Sequence, residues 1–243
     1  MKALDFEGTS VVVVGGQLGS GPTIVRNFVQ RGARVVVGKM KSQRSAEDAP
    51  GVQCLPIDTT DADSVRTFFD ACESAAGPVS VMIIMADAVK TEDALSVTPA
   101  RYREVLEQEL IGPMLCMQEM ARRMQPRGHG RIIAFASMSG KTGVHKRVTP
   151  MAAAKGGLIA FSRALAAEVA PFGVTVNAIA TALFDSQVAG ASPEKIAEVA
   201  QGIPVGRLGR SEEAAHAVLY LASPLGAYVT GETLNLSGGR FMD

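Results

Sequence analysis

Three cysteines, three tyrosines, no net charge and no long apolar run are what this 243-residue chain has least of. Cys54, Cys72 and Cys116 are widely spaced, odd in number and form no C-x-x-C. That pattern excludes a disulfide framework and a zinc ribbon, and it fits a reducing cytosol. Lys plus Arg equals Asp plus Glu at 24 each, so no basic field exists for nucleic acid or an anionic membrane. The longest near-continuous apolar run, 79–85 with Ser80 inside it, falls far short of the ~20 residues of a membrane span. The opening MKALDFEGTS carries two acids and no apolar stretch, so no secretory signal is expected. These absences together predict a cytoplasmic protein with no membrane, nucleic-acid or metal partner.

The chain does have apolar residues in abundance, 47% of the total, enough for a generous core without staples. They fall in short β-rich runs at 10–14, 34–37, 52–57, 79–85, 131–136, 174–179 and 233–236. Most runs are continuous rather than alternating, as parallel strands covered on both faces require. Helical patterns lie between them at 23–31, 61–76, 99–124, 152–170 and 212–222. Asp61 reads as a helix start, Gly32 and Gly173 as helix stops. Strand–helix repetition of this kind predicts right-handed crossovers and a doubly wound α/β Rossmann sheet of about seven strands. No linker, repeat or charge block divides it, so residues 1–243 are expected to form a single domain. The stretch 180–210, with Pro193, Pro204 and four glycines, reads as an irregular insertion after the sixth strand. Ligands bind at the carboxyl ends of such strands, so 180–210 is expected to be a substrate lid.

The first strand runs directly into Gly15-Gly16-Gln17-Leu18-Gly19-Ser20-Gly21 and then a helix. Gly15, Gly19 and Gly21 have the G-x-x-x-G-x-G spacing. Such a turn permits positive φ and lets backbone approach a pyrophosphate seated on the helix N-terminus. Pro22 suits a first-turn position, where a missing N–H costs nothing. The second strand ends Val37-Gly38-Lys39-Met40-Lys41, with no acid to hold an adenosine ribose. Lys39, Lys41 and Arg44 either meet a 2′-phosphate or form a solvated basic edge.

With these landmarks the chain resembles the short-chain dehydrogenase/reductase family over essentially its whole length. The resemblance rests on the glycine turn, Asp58 after the third strand and Ser137 after the fifth. It continues through Ala152-Ala153-Ala154-Lys155, Val176-Asn177-Ala178-Ile179 and Pro204-Val205-Gly206-Arg207. The tail, Gly231-Glu232-Thr233 to Ser237-Gly238-Gly239, is most similar to the 3-oxoacyl reductase and hydroxyacyl dehydrogenase branch. It implies hydride transfer between NAD or NADP and a carbonyl/alcohol pair, with cofactor contacts at Gly15, Gly19, Gly21, Asp58 and Lys155. It also implies a tetrad: a Tyr acid/base, a Lys four residues later, an upstream Ser and a helical Asn. The Lys ammonium lowers the phenol pKa, the Ser orients the substrate oxygen, and the Asn holds a relay water.

Ser137 and Lys155 are present, but Met151 stands at the Tyr position and Glu109 at the Asn position. A thioether neither donates nor accepts the proton, and Tyr102, Tyr220 and Tyr228 are placed too far along the chain to replace it. Further departures bear on the same site: Ile84-Met85-Ala86-Asp87 for Asn-Asn-Ala-Gly, Thr181-Ala182 for Pro-Gly, and Val14 for Thr. The expectation is a degenerate member with doubtful cofactor occupancy, acting as an inactive subunit beside an intact dehydrogenase paralogue in a heterotetramer. A homotetramer is the other assembly. Alternatives are an active reductase using His145 or Glu109 as substitute acid, or a non-catalytic nucleotide or acyl-CoA sensor. Lys141, Lys146 and Arg147 form a cationic loop cluster that either meets an anion or is solvated. Assembly through helices 99–124 and 152–170 is implied by the family. Met114, Met117, Met120 and Met124 suit either an adaptable interface or the core. The small residues Ala152, Ala153, Gly156, Ala160, Ala164 and Ala167 permit close helix approach. Pro113 is expected to interrupt one hydrogen bond and kink its helix.

Overall fold

The computed structural model describes residues 4–40, 51–85, 91–143, 145–188 and 190–242. Seven strands form one sheet: β1 (Ser10–Val14), β2 (Arg34–Met40), β3 (Gln53–Ile57), β4 (Val81–Ile84), β5 (Gly130–Ser137), β6 (Val174–Thr181) and β7 (Thr233–Leu236). Their order is β3-β2-β1-β4-β5-β6-β7, with every pairing parallel. The strand order reverses between β1 and β4, which opens a crevice at their carboxyl ends. The α-helices are α1 (Gly21–Val29), α2 (Ala62–Ala76), α3 (Pro99–Leu106), α4 (Gly112–Met124), α5 (Thr149–Val169), α6 (Pro193–Gln201) and α7 (Ser211–Ala222).

The period of two explains both layers. Val12 and Val14 of β1 pack with α2, α4 and α5 on one face, while Val11 and Val13 pack with α1 and α7 on the other. With both faces covered, β1 is wholly buried, which is why its sequence reads as an unbroken valine run. Asp61 caps α2, its carboxylate accepting from the N–H groups of Asp63 and Ser64. Gly32 and Gly173 both hold positive φ just after helical segments, as their stop positions require.

One open reading is decided and two expectations change. Met117, Met120 and Met124 are fully buried in the core between sheet and helices, so they fill the interior instead of meeting a partner. The 180–210 stretch is not wholly irregular: Ser192 caps the helix α6, accepting from Lys195 N–H, and Asp185–Gln187 forms a short 3-10 turn. The disturbance at Pro113 is a π-helical turn, Glu107–Ile111, directly before it, joining α3 to α4 in one long helix. Gly112 N–H donates to Glu107 C=O, five residues back, and Pro113 falls in the first turn of α4, where its missing N–H costs little.

Candidate active site

At the carboxyl ends of the strands lies a cleft of about 310 Å³. Its walls bring together Gly19 and Ser20 of the glycine turn, Met85, Ser137 and Ser139, His145, Met151, Lys155, the 181–187 segment and Arg240. Three of the expected catalytic-site positions, Ser137, Met151 and Lys155, therefore meet here. His145, the alternative acid, also lines the cleft. None of the three tyrosines lines the cleft.

The end of β5 places Ser137. Its Oγ accepts from Ser139 N–H at 3.2 Å and from Ser139 Oγ at 2.9 Å, so the hydroxyl caps the 3-10 turn Met138–Gly140. Gly140 then seats that turn on α5. A Cβ there would lie 2.6 Å from Gly156 N and 2.7 Å from the Lys155 carbonyl carbon, a closeness only glycine allows. Met151 and Lys155 lie one turn apart on α5 and both are buried, at 7% and 1% exposure.

The fourth position is filled from the other long helix. Glu109 sits within the π turn, and its Oε2 stands 2.7 Å from Lys155 Nζ. A π turn carries an extra residue per turn and rotates the side chains that follow. Leu110, beside Glu109, packs against α5 opposite Gly157. The ion pair is close but poorly aligned, and Nζ makes no hydrogen bond of ordinary geometry. The Lys155 ammonium, one helical turn from Met151, is thus counterbalanced inside the protein. Glu109, a candidate substitute acid, already has its carboxylate engaged as the partner of Lys155. His145 faces the cleft with its Nδ1 buried and unpartnered. Burial, and then the Arg240 charge, hold its pKa below the usual histidine value.

The glycine turn bears on the cofactor. Gly15 and Gly19 have φ of +74° and +48°. A Cβ on Gly21 would lie 2.5 Å from the Gly16 carbonyl oxygen, so the turn closes only with glycine there. Ser20 caps α1 without a side-chain hydrogen bond, and no acid sits in the first helical turn. Both amide atoms of Gln17 are buried and unpartnered in the same turn. Orphaned polar atoms at an uncapped helix N-terminus fit a pyrophosphate. Asp58 stands at the end of β3 outside the cleft, its Oδ1 accepting from Thr60 N–H and Oγ. Lys39 lies on β2, whereas Lys41, Arg44, Ala86 and Asp87 fall outside the described residues. Of the cationic loop cluster, Lys141 Nζ donates to Asn235 Oδ1 at 2.9 Å, and Lys146 and Arg147 are exposed. No described helix is long and apolar enough to cross a membrane.

A seven-stranded sheet in this order, a glycine turn on β1 and a Ser/Lys pair at the strand ends define a class of nicotinamide-dependent dehydrogenases. The chain belongs to the short-chain dehydrogenase/reductase family: the family model described as "Enoyl-(Acyl carrier protein) reductase" matches residues 16–240. Its relatives include 3-oxoacyl-[acyl-carrier-protein] reductase FabG of Escherichia coli (strain K12), 33% identical over 245 residues, covering 98% of this chain and 100% of the relative. The 3-oxoacyl-[acyl-carrier-protein] reductase MabA of Mycobacterium avium is 34% identical over 238 residues, covering 98% of this chain and 91% of the relative. The crystal structure of gox2181 is similar with a TM-score of 0.88 at 25% identity, covering 99% of this chain and 98% of that one. The family uses NAD(P)H, in keeping with the glycine cradle.

Proposed function

We propose that this chain is a catalytically inactive dehydrogenase-fold subunit that assembles with an intact, NAD(P)-dependent paralogue acting on a hydroxyacyl or 3-oxoacyl thioester. One observation carries the reading: a thioether occupies the proton-donor position while Glu109 holds the Lys155 ammonium that would otherwise sharpen such a donor. General acid–base catalysis contributes ~10²–10⁴ in rate, so a site without its donor retains little turnover. The glycine cradle would still hold a dinucleotide through Gly15, Gly19, Gly21 and Gln17. That group supplies hydride chemistry when bound, and the residues here supply only its seat.

The assembly half of the proposal rests on α5, where Ala153, Ala160, Ala164 and Ala167 are all exposed and leave a face of small side chains that a second helix can approach closely. A subunit of this kind would resemble the inactive partner chain of the 2-(hydroxybenzyl)succinyl-CoA dehydrogenase of anaerobic toluene breakdown, and we place the chain in that kind of complex. Affinity purification from the native host, followed by native mass measurement, tests this. The expected result is a stoichiometric second dehydrogenase carrying an intact Tyr-x-x-x-Lys. Recovery of a homotetramer alone overturns it.

A second reading has its own observation, His145 lining the cleft beside Ser137, Met151 and Lys155. In that reading the chain is an active reductase like its FabG relatives, with His145 as the acid. NAD(P)H oxidation by the isolated chain, abolished in His145→Ala, would establish it. Glu109→Ala would test the carboxylate in the same assay.

A further inference from the structure

The cleft is electrically unbalanced in a way the tetrad positions do not account for. Its charged wall residues are Lys155 and Arg240, and no described carboxylate lines it. Glu109 offsets Lys155 from behind. That leaves Arg240, half-buried and with no acidic partner among the described residues, facing walls built from Met85, Phe135, Val148, Met151, Leu183 and Phe184. A guanidinium partly withdrawn from water and left without a counter-ion is costly, and an incoming anion relieves that cost.

Arg240 is also built into place. The turn after β7 runs through Gly238 and Gly239 at φ of +61° and +84°, and Arg240 N–H donates to Ser237 C=O at 3.2 Å. Phe241 N–H donates to Ser237 Oγ, which in turn donates to Phe241 C=O. The Lys141 ammonium lies 5.0 Å above the Phe241 ring and bonds Asn235, tying this turn to the loop after β5. These bonds fix the backbone that carries Arg240, and its side chain lines the cleft.

We propose that the cleft is a binding site for a small organic carboxylate with an apolar body, whose carboxylate meets Arg240 while its body lies against Met85, Val148 and Met151. The planar fork of arginine matches a carboxylate in two parallel hydrogen bonds, and His145 lines the same space. The apolar walls distinguish this ligand from an inorganic anion. The site goes beyond the subunit's proposed role, because it requires neither turnover nor a partner chain.

Binding of hexanoate, hexanamide and inorganic phosphate to the purified full-length chain, followed by calorimetry and by methyl NMR of Met151, tests it. Hexanoate is expected to bind at least about tenfold more tightly than its uncharged amide, with shifts at Met151. Arg240→Gln is expected to abolish that preference, leaving amide binding unchanged. Equal affinity for acid and amide in the unsubstituted chain overturns the proposal, as does absence of hexanoate binding. Phosphate binding as tightly as hexanoate overturns the carboxylate assignment. These outcomes are read on the unsubstituted chain, so they hold even if Arg240→Gln fails to fold.

Discussion

Removing one member of the Glu109–Lys155 pair should cost far more than removing both. Lys155 is 1% exposed and the Glu109 side chain 11%, so each single substitution strands a charge in the interior. Stranding a buried charge costs about 3–5 kcal/mol, whereas replacing both partners by apolar groups of similar volume is neutral or stabilising by up to about 4 kcal/mol. Glu109→Leu and Lys155→Met are therefore each expected to lower the thermal midpoint by roughly 6–20 °C, at about 2–4 °C per kcal/mol for a domain of this size. The double variant should recover to the parent or above it. Urea denaturation of all four proteins gives the coupling energy directly, expected at about 3 kcal/mol or more. Additive single effects, with coupling below about 0.5 kcal/mol, would refute the view that the pair is a closed ionic unit.

Gly21→Ala should destabilise the chain by about 1–3 kcal/mol and abolish dinucleotide binding, since the new Cβ would press on the Gly16 carbonyl. Chemical denaturation and cofactor titration check the two effects separately. The Glu213 carboxyl is held down to about 2, from a usual 4.5, chiefly by its paired hydrogen bonds from Arg207, at 2.9 and 2.7 Å, and by Arg210 N–H. Its contribution is thus fully present above pH 4.5 and lost as pH falls through about 2, so the stability gap between the parent and Glu213→Gln should close over that window in acid-denaturation curves. Burial pushes the Cys72 thiol up to about 12 and raises Cys116 as well. Ellman's reagent should therefore label Cys54 first in the folded chain and reach the other two only on unfolding.

The sheet was legible because buried parallel strands leave continuous apolar runs, and the seven runs fall on the seven strands with small shifts at their ends. The Met117–Met120–Met124 stripe was ambiguous because spacing alone cannot say whether a helix face meets the sheet or a neighbour. Helix α6 had a readable start, Ser192 as cap followed by Pro193 and Glu194 in the first turn, obscured by the surrounding glycines and prolines. Met151, Ser137 and Lys155 were placed by motif. The ion pair was not, because residues on two different helices meet only through the packing of the π turn on α5. Arg240 carried no local signal either: only the turn after β7, closing over the strand ends, brings it beside His145.

The central claim, that Met151 and the captured Lys155 together disarm this site, is tested most directly by NADH and NADPH oxidation with a 3-oxoacyl thioester. The assay compares the unsubstituted chain, Met151→Tyr and Met151→Tyr/Glu109→Asn. The account predicts no turnover in the first, little in the second because Glu109 still holds the ammonium, and a gain of about 10²–10⁴ in the third. Turnover by the unsubstituted chain, or full activity from Met151→Tyr alone, would contradict it.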